Sequence, residues 1–369
     1  MIKVVNIITD SNIGGAGVVL INFMHRTDTS KFKHLVVVPR GSMLTERLRS
    51  PEITVIELDG IAERSFSPKA LGAFRKIFAD FKPDVVHTHA SLAARLAARL
   101  YGKCKIIYTR HCAYELPRSA TRFPKKQITG AVCNALSDLI IAISPSASEN
   151  LVDMGVNPKK IFVMFNGVDP VREFSDEERA AARRALGVSE TDFVCAIIAR
   201  LELVKGHDYV LEAAKLLSER PIKLLIAGTG TREEALKAEA TRLGLTNTIF
   251  TGFVSDVERI ENIMDLQLNA SFGTETSSLS LLEGMSLGIP AVVSDFGGNP
   301  YLIANGENGL VVPKKDAAAL ADAIASLMDD PDRMRRMSAR SREIYKERFT
   351  LETMVNNIEN AYRRVLDEK

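Results

Sequence analysis

The chain has no tryptophan and only four cysteines in 369 residues: Cys104, Cys112, Cys133 and Cys195. No two of them form a C-x-x-C pair, and no cysteine and histidine stand at a spacing suited to zinc, which sets aside thiolate-metal and dithiol redox chemistry. So few scattered thiols also exclude a disulfide scaffold and fit a reduced, cytoplasmic setting. Long hydrophobic runs are missing as well: nothing approaches the roughly 18 consecutive apolar residues of a membrane-spanning helix. The opening residues Ile2–Ile8 read as a strand, without a basic leader or apolar core ahead of a small-residue cleavage site, so no signal peptide is expected. Net charge is almost absent too, with 48 Lys and Arg against 46 Asp and Glu. A chain without a general cationic surplus is a poor nucleic-acid binder, since the phosphate backbone is held by such a surplus.

What is present is an ordinary globular composition, 46% hydrophobic and 25% charged, long enough for about two domains of roughly 100–200 residues each. Short apolar runs recur at 2–8, 34–38, 53–58, 84–87, 105–109, 138–143 and 161–165, each followed by helical periodicity. After a polar stretch at 172–187 the rhythm restarts at 192–198, 222–227, 247–251, 265–270, 290–294 and 309–312. Continuous apolar strands alternating with helices predict parallel sheets covered on both faces, hence two Rossmann-like doubly wound α/β domains. The boundary falls at Asn166-Gly167-Val168-Asp169-Pro170, giving domains 1–168 and 169–347, with 348–369 a C-terminal segment. Apolar residues at 351, 354, 355, 358, 361, 362 and 365 make that segment an amphipathic helix, expected to pack back on the N-terminal domain. Ligands of such sheets bind outside the carboxyl ends of the strands, so a cleft between two facing domains is where chemistry is expected. Asp329-Asp330-Pro331-Asp332 resembles an acidic metal cluster, but a helix cap with Pro and Asp in the first turn accounts for it. The near-zero charge conceals an asymmetry: residues 1–168 carry 23 basic against 13 acidic side chains, a surplus of 10, and the rest a deficit of 8. The densest basic tract is Arg118, Arg122, Lys125 and Lys126, either a solvated face or a site for an anionic surface or substrate.

Several strand ends carry residues suited to chemistry. Gly14-Gly15-Ala16-Gly17 joins the first strand to a helix, where bare backbone lets a ligand approach and free amides attract anions, although a tight turn without a ligand fits equally; the spacing is not G-x-G-x-x-G. His87 and His89 share a strand face, better explained by structural hydrogen bonds than by a metal pair. His111 stands just beyond a strand end, within reach of a substrate hydroxyl. Arg200 and Lys205, with Gly206, place a fork-shaped and a point-like cation at another strand end, as a diphosphate requires. The densest stretch is Asn269–Met285. A strand ends near Ala270, a polar loop carries Glu275, and a helix beginning near Ser277–Ser278 offers its first-turn amides as an anion site. Glu275 and Glu283 could accept hydrogen bonds from sugar hydroxyls, act as an acid/base pair, or, for Glu283, satisfy a helix end.

Together these residues resemble the retaining GT-B glycosyltransferases of family 4, over nearly the whole length of the chain. The resemblance runs through Gly14–Gly17, Asp84–His89, Ile143-Ser144-Pro145-Ser146, Phe165–Asp169, Ala199-Arg200 with Lys205-Gly206, Ile226–Gly230, and Glu275-x7-Glu283 followed by Gly288-Ile289-Pro290. It implies a nucleoside diphosphate sugar as donor, a UDP-sugar by preference. Arg200 and Lys205 would hold the diphosphate, Glu283 the ribose, Glu275 the transferred sugar, and the amides of Ser278 and Leu279 the phosphates. His111 would contact the donor sugar, Gly15 would face the pyrophosphate, and the base would lie at Phe253-Val254. It further implies no cofactor and no metal, in keeping with the lack of an Asp-x-Asp at a strand end. The acceptor is expected to be a saccharide or a lipid-linked acceptor in envelope or polysaccharide synthesis, with the enzyme cytoplasmic and its basic half peripheral to an anionic membrane. One departure stands out: Thr276-Ser277-Ser278 occupies the place of the family's Gly-Phe-Gly. A nucleotide-sugar 2-epimerase and a non-catalytic nucleotide-sugar binder are the competing readings; an NAD-dependent oxidoreductase fails on the missing glycine fingerprint.

Overall fold

The computed structural model describes residues 1–367. Two compact units emerge, one made of Met1–Gly167 with the C-terminal segment from Leu351, the other of Val168–Thr350. The first holds strands β1 (Ile2–Ile8), β2 (Phe32–Pro39), β3 (Ile53–Leu58), β4 (Val85–His89), β5 (Lys105–Arg110), β6 (Leu139–Ala142) and β7 (Ile161–Val163), all parallel, in the order β3-β2-β1-β4-β5-β6-β7. The second holds β8 (Phe193–Ile198), β9 (Ile222–Ala227), β10 (Thr248–Gly252), β11 (Leu266–Asn269), β12 (Ala291–Ser294) and β13 (Gly309–Val312), also parallel, in the order β10-β9-β8-β11-β12-β13. Both orders reverse direction once, between β1 and β4 and between β8 and β11. Such reversals splay the neighbouring loops apart and open a crevice at the carboxyl ends of the strands.

The strands are mostly apolar because helices cover both faces of each sheet, with polar exceptions such as His87, Thr88 and His89 of β4. On one face of the first sheet Val5, Ile7, Val37, Val86 and Ile106 pack with Phe74, Phe78, Ala94 and Ala98 from the helices Pro68–Phe81 and Leu92–Tyr101. The C-terminal helix Leu351–Asp367 buries Leu351, Met354, Val355, Ile358, Ala361, Tyr362 and Val365, the stripe its periodicity predicts. It lies against the helix Gly15–Arg26, with the Tyr362 ring 6.0 Å from Phe23 and 5.8 Å from Phe32. At about 1.5–3 kcal/mol for each large apolar side chain removed from water, this stripe ties the last helix to the N-terminal unit.

Local signals fix the other boundaries. Asp330 caps the helix Pro331–Arg348, its Oδ1 accepting from the Arg333 amide at 2.8 Å, and Pro331 fills the first position, where no amide is needed. Strand β7 spans only Ile161–Val163, shorter than its apolar run, although the Met164 amide still donates to the Ala142 carbonyl at 2.9 Å.

Candidate active site

In the second unit the loops leaving β8 and β11 carry the charged residues. Lys205 closes a single 3-10 turn, Leu203–Lys205, and Gly206 reverses the chain with φ +74°, where a Cβ would run into the Ala270 carbonyl. The lysine is thereby pressed against the end of β11. Its Nζ lies 2.9 Å from Glu275 Oε2 and donates to the Thr274 carbonyl at 3.3 Å. The same Glu275 oxygen accepts from Asn269 Nδ2 at 3.0 Å and from Ser271 Oγ at 3.1 Å. Burial pushes the Glu275 carboxyl up, but the Lys205 ammonium and the two side-chain donors outweigh it and hold the group below the ordinary carboxylate range. Glu275 is therefore a fixed, ionised acceptor, which argues against its serving as the acid of an acid/base pair. The loop is clamped from above by Gly297 and Gly298: a Cβ on Gly298 would overlap the Thr276 carbonyl, and the Gly298 amide donates to the Glu275 carbonyl at 3.2 Å.

The helix after this loop spans Leu279–Ser286, with Ser278 at its N-cap and no side chain capping the first turn. Ser278 Oγ pairs instead with Ser280 Oγ, which is 3.2 Å from the Ile198 carbonyl. The leading amides are thus left as donors for an anion, even with serine and threonine where family 4 carries glycine. One turn in, Glu283 is half-buried and shares a hydrogen bond with Glu261, which is only 2% exposed and lies on the short helix Glu258–Glu261. Burial and the adjacent Glu283 charge raise the Glu261 carboxyl to about 9, and burial raises Glu283 as well, offset in part by the hydrogen bond from Glu261, so the proton the pair shares rests mainly on Glu261. Arg200 is exposed just past β8; its carbonyl accepts from the Glu202 amide at 2.8 Å, and its guanidinium, which lowers the nearby Glu202 carboxyl, makes no side-chain hydrogen bond or salt bridge among the described residues. Its loop is seated by Gly228 and Gly230, where Cβ atoms would meet the Ala199 and Leu201 carbonyls. Val254 packs half-buried beside Phe253, which is 77% exposed, just past the positive-φ Gly252.

In the first unit, Gly15 opens the helix Gly15–Arg26 with nothing within 4 Å of where a Cβ would sit, so its backbone is open to approach. His111 follows β5, and its Nε2 is 2.7 Å from Nδ1 of the 5%-exposed His89, the two rings stacked at 5.0 Å. Burial pulls His111 down to about 4, so it is neutral at pH 7. Both nitrogens of His87 are engaged, Nδ1 with the Tyr362 hydroxyl at 2.8 Å and Nε2 with Thr109 Oγ1 at 2.6 Å, which leaves neither for a metal.

Of the residues read from the sequence, the fold brings Lys205 and Glu275 into contact and sets Ser278, Leu279 and Glu283 on one helix beyond them. Arg200 and Val254 lie on the loops leaving β8 and β10 of the same unit, and Gly15 and His111 in the segments that follow β1 and β5 of the other. Glu261 was not singled out, Asn269 and Ser271 were given no role of their own, and His89 was read with His87 as structurally hydrogen-bonded, which its contact with His111 bears out. Asn269 and Ser271 alternate at the end of β11, a pattern that marks two side chains on one face aimed past a strand end. Glu261 gave no such signal, being one acid in a charged helical turn.

Two parallel Rossmann-like sheets, with cations and an uncapped helix start at the strand ends of the second, define the GT-B class of sugar-transferring enzymes. Residues 178–344 match the family model described as Glycosyl transferases group 1, and residues 13–172 match Glycosyltransferase Family 4. The chain belongs to the GT-B glycosyltransferases of family 4. It is 27% identical to the UDP-Gal:alpha-D-GlcNAc-diphosphoundecaprenol alpha-1,3-galactosyltransferase of Escherichia coli, over 80% of this chain and 79% of that one. It is also 27% identical to the N-acetyl-alpha-D-glucosaminyl L-malate synthase of Bacillus anthracis, over 78% and 76%. The crystal structure of Anabaena HepE in complex with UDP superposes with a TM-score of 0.86 at 20% identity, covering 99% of this chain and 100% of that one.

Proposed function

We propose that this glycosyltransferase moves a sugar from a UDP-sugar to a saccharide or lipid-linked acceptor in envelope or polysaccharide synthesis, with retention of anomeric configuration and without a divalent metal. The observation that carries the reading is the buried Lys205–Glu275 pair beside an uncapped helix start, with the exposed Arg200 at the end of β8 in the same unit. Arg200, Lys205 and the amides of Ser278 and Leu279 supply the positive field that a departing diphosphate needs, the part a metal plays elsewhere. Glu283, hydrogen-bonded by Glu261, accepts from the ribose hydroxyls, and Glu275 from hydroxyls of the transferred sugar. Gly15 faces the pyrophosphate, Val254 borders the base, and neutral His111 hydrogen-bonds the sugar. The acceptor oxygen bonds to the anomeric carbon as the carbon–phosphate oxygen bond breaks, and the departing phosphate takes the acceptor's proton. UDP as the nucleotide is supported by the galactosyltransferase relative and by the UDP bound to HepE.

No helix among the described residues is long and apolar enough to cross a membrane. A peripheral, cytoplasmic-face contact is supported by the basic surplus of residues 1–168 and by the tract Arg118–Lys126, where Phe123 is 81% exposed and Ile128, just beyond, 60%. Binding to vesicles containing anionic lipid at low salt, lost at high salt, is the expected result; no binding at low salt removes the membrane element. The transfer itself is tested by incubating the protein with UDP-, GDP- and ADP-sugars and a panel of acceptors. Free nucleoside diphosphate should appear on acceptor addition, whereas interconversion of the sugar without acceptor would mark an epimerase.

A further inference from the structure

Two arginines in the first unit, one half-buried and one buried, have no carboxylate partner among the described residues. Arg110, the last residue of β5, is half-buried; its Nε and Nη2 are closed off from solvent without a hydrogen-bond partner. Its guanidinium lies 4.9 Å from the Tyr114 ring; its side-chain hydrogen-bond partners are Tyr114 and Tyr108, with the Cys112 thiol alongside, and no carboxylate is among these neighbours. Arg95, 5% exposed on the helix Leu92–Tyr101, stacks 4.3 Å over that same Tyr108 ring, its Nε also unpartnered, with a long 3.4 Å bond from Nη1 to Ser137 Oγ. Neither arginine has an ion pair among the described residues. Stacking on aromatic rings offsets part of the cost of burying a guanidinium but supplies no counter-charge.

A cation held this way, at a strand's carboxyl end and one residue from His111, is a site waiting for an anion. The Tyr114 amide donates to Asn150 Oδ1 at 3.0 Å, which holds the segment after β5 and keeps the Tyr114 ring against the guanidinium. The fork of an arginine matches the two oxygens of a phosphate or carboxylate, and the second cation behind Tyr108 adds to the field. We propose that Arg110 binds an oxyanion, a phosphate or a carboxylate, carried by the sugar acceptor. The proposal rests on the glycosyltransferase reading only for the acceptor role; the anion site is a property of the first unit by itself.

The test is calorimetric titration of inorganic phosphate, and separately of succinate, into protein saturated with UDP, so that the nucleotide's own phosphate contacts are filled. Wild-type protein binds at least one of the two. Arg110→Gln weakens that binding by about tenfold or more, and Arg110→Lys, which keeps the charge and loses the fork, falls between. UDP affinity is unchanged in all three. Absence of anion binding by wild-type protein, or equal binding by Arg110→Gln, overturns the proposal. Should Arg110→Gln fail to fold, the Arg110 Nε–H resonance of wild-type protein decides: displacement by either anion supports the site and an unmoved signal refutes it. Failure of UDP to bind counts against the glycosyltransferase reading instead. The wild-type and Arg110→Gln comparison is then made without nucleotide, so the two claims fail separately.

Discussion

Lys205 and Glu275 stand 70 positions apart, yet the ammonium of one is the counter-charge that keeps the other ionised in a buried pocket. Lys205→Ala should therefore lower turnover on the order of a hundredfold, as loss of a group that stabilises developing charge does. It should also destabilise the unit by about 3–5 kcal/mol, the usual cost of leaving one buried partner unpaired. Steady-state kinetics at saturating donor and a melting curve check both; normal turnover would remove Lys205 from the site. Glu261 makes the opposite prediction. Its native carboxyl holds a proton that the unfolded chain gives up above about pH 4.5, so its stabilising contribution is present below that pH and lost as pH rises. Glu261→Gln, which keeps a donor toward Glu283 and cannot ionise, should melt higher than wild type at pH 8, with the gap closing toward pH 5. A gap that is absent or reversed would show that Glu261 is not the protonated partner. The sequence announced Glu275 and Glu283 through their spacing and loop. It could not announce their partners, because Lys205 and Glu261 become partners only once β8, β11 and the short helix before β11 are side by side.

Elements were far more legible than pairings. Every strand was visible as an apolar run because both faces are covered, and the start of the helix Leu279–Ser286 was visible in its serines. Periodicity also displayed the stripe of Leu351–Asp367, but no periodicity could say that Tyr362 would hydrogen-bond His87 and so link that helix to β4. The glycines at 297–298 carried no signal in the sequence. The fold shows Gly298 to be a contact surface for the backbone of the Glu275 loop, where even a methyl group overlaps the Thr276 carbonyl. Gly298→Ala should consequently destabilise by about 1–3 kcal/mol through overpacking and shift the loop enough to weaken donor binding. Thermal melts with and without UDP measure both, and a variant indistinguishable from wild type would show that the loop is not seated there.

Across the whole molecule, histidine sets the response to acid. His34, His111 and His207 are pulled down to about 4 and His87 to about 3, all chiefly by burial, and His89 is lowered as well. Unfolded histidines take protons near pH 6.5, so stability is intact above that value and drains away as pH falls toward 4. Four of the five lie in the first unit, so hydrogen exchange at pH 5 should show β1, β4 and β5 losing protection before β8 and β11. Uniform loss, or none, would contradict that assignment. The near-zero net charge is likewise a property of two unlike halves, the basic one carrying Arg110 and Arg118–Lys126, the acidic one the loops that leave β8 and β11. The central claim is a retaining, metal-independent transfer from a UDP-sugar. Proton NMR of the product formed from an α-linked UDP-sugar in the presence of EDTA tests it most directly. An α-linked product with UDP released in equal amount is the predicted result; a β-linked product, or no transfer until a divalent metal is added, would contradict it.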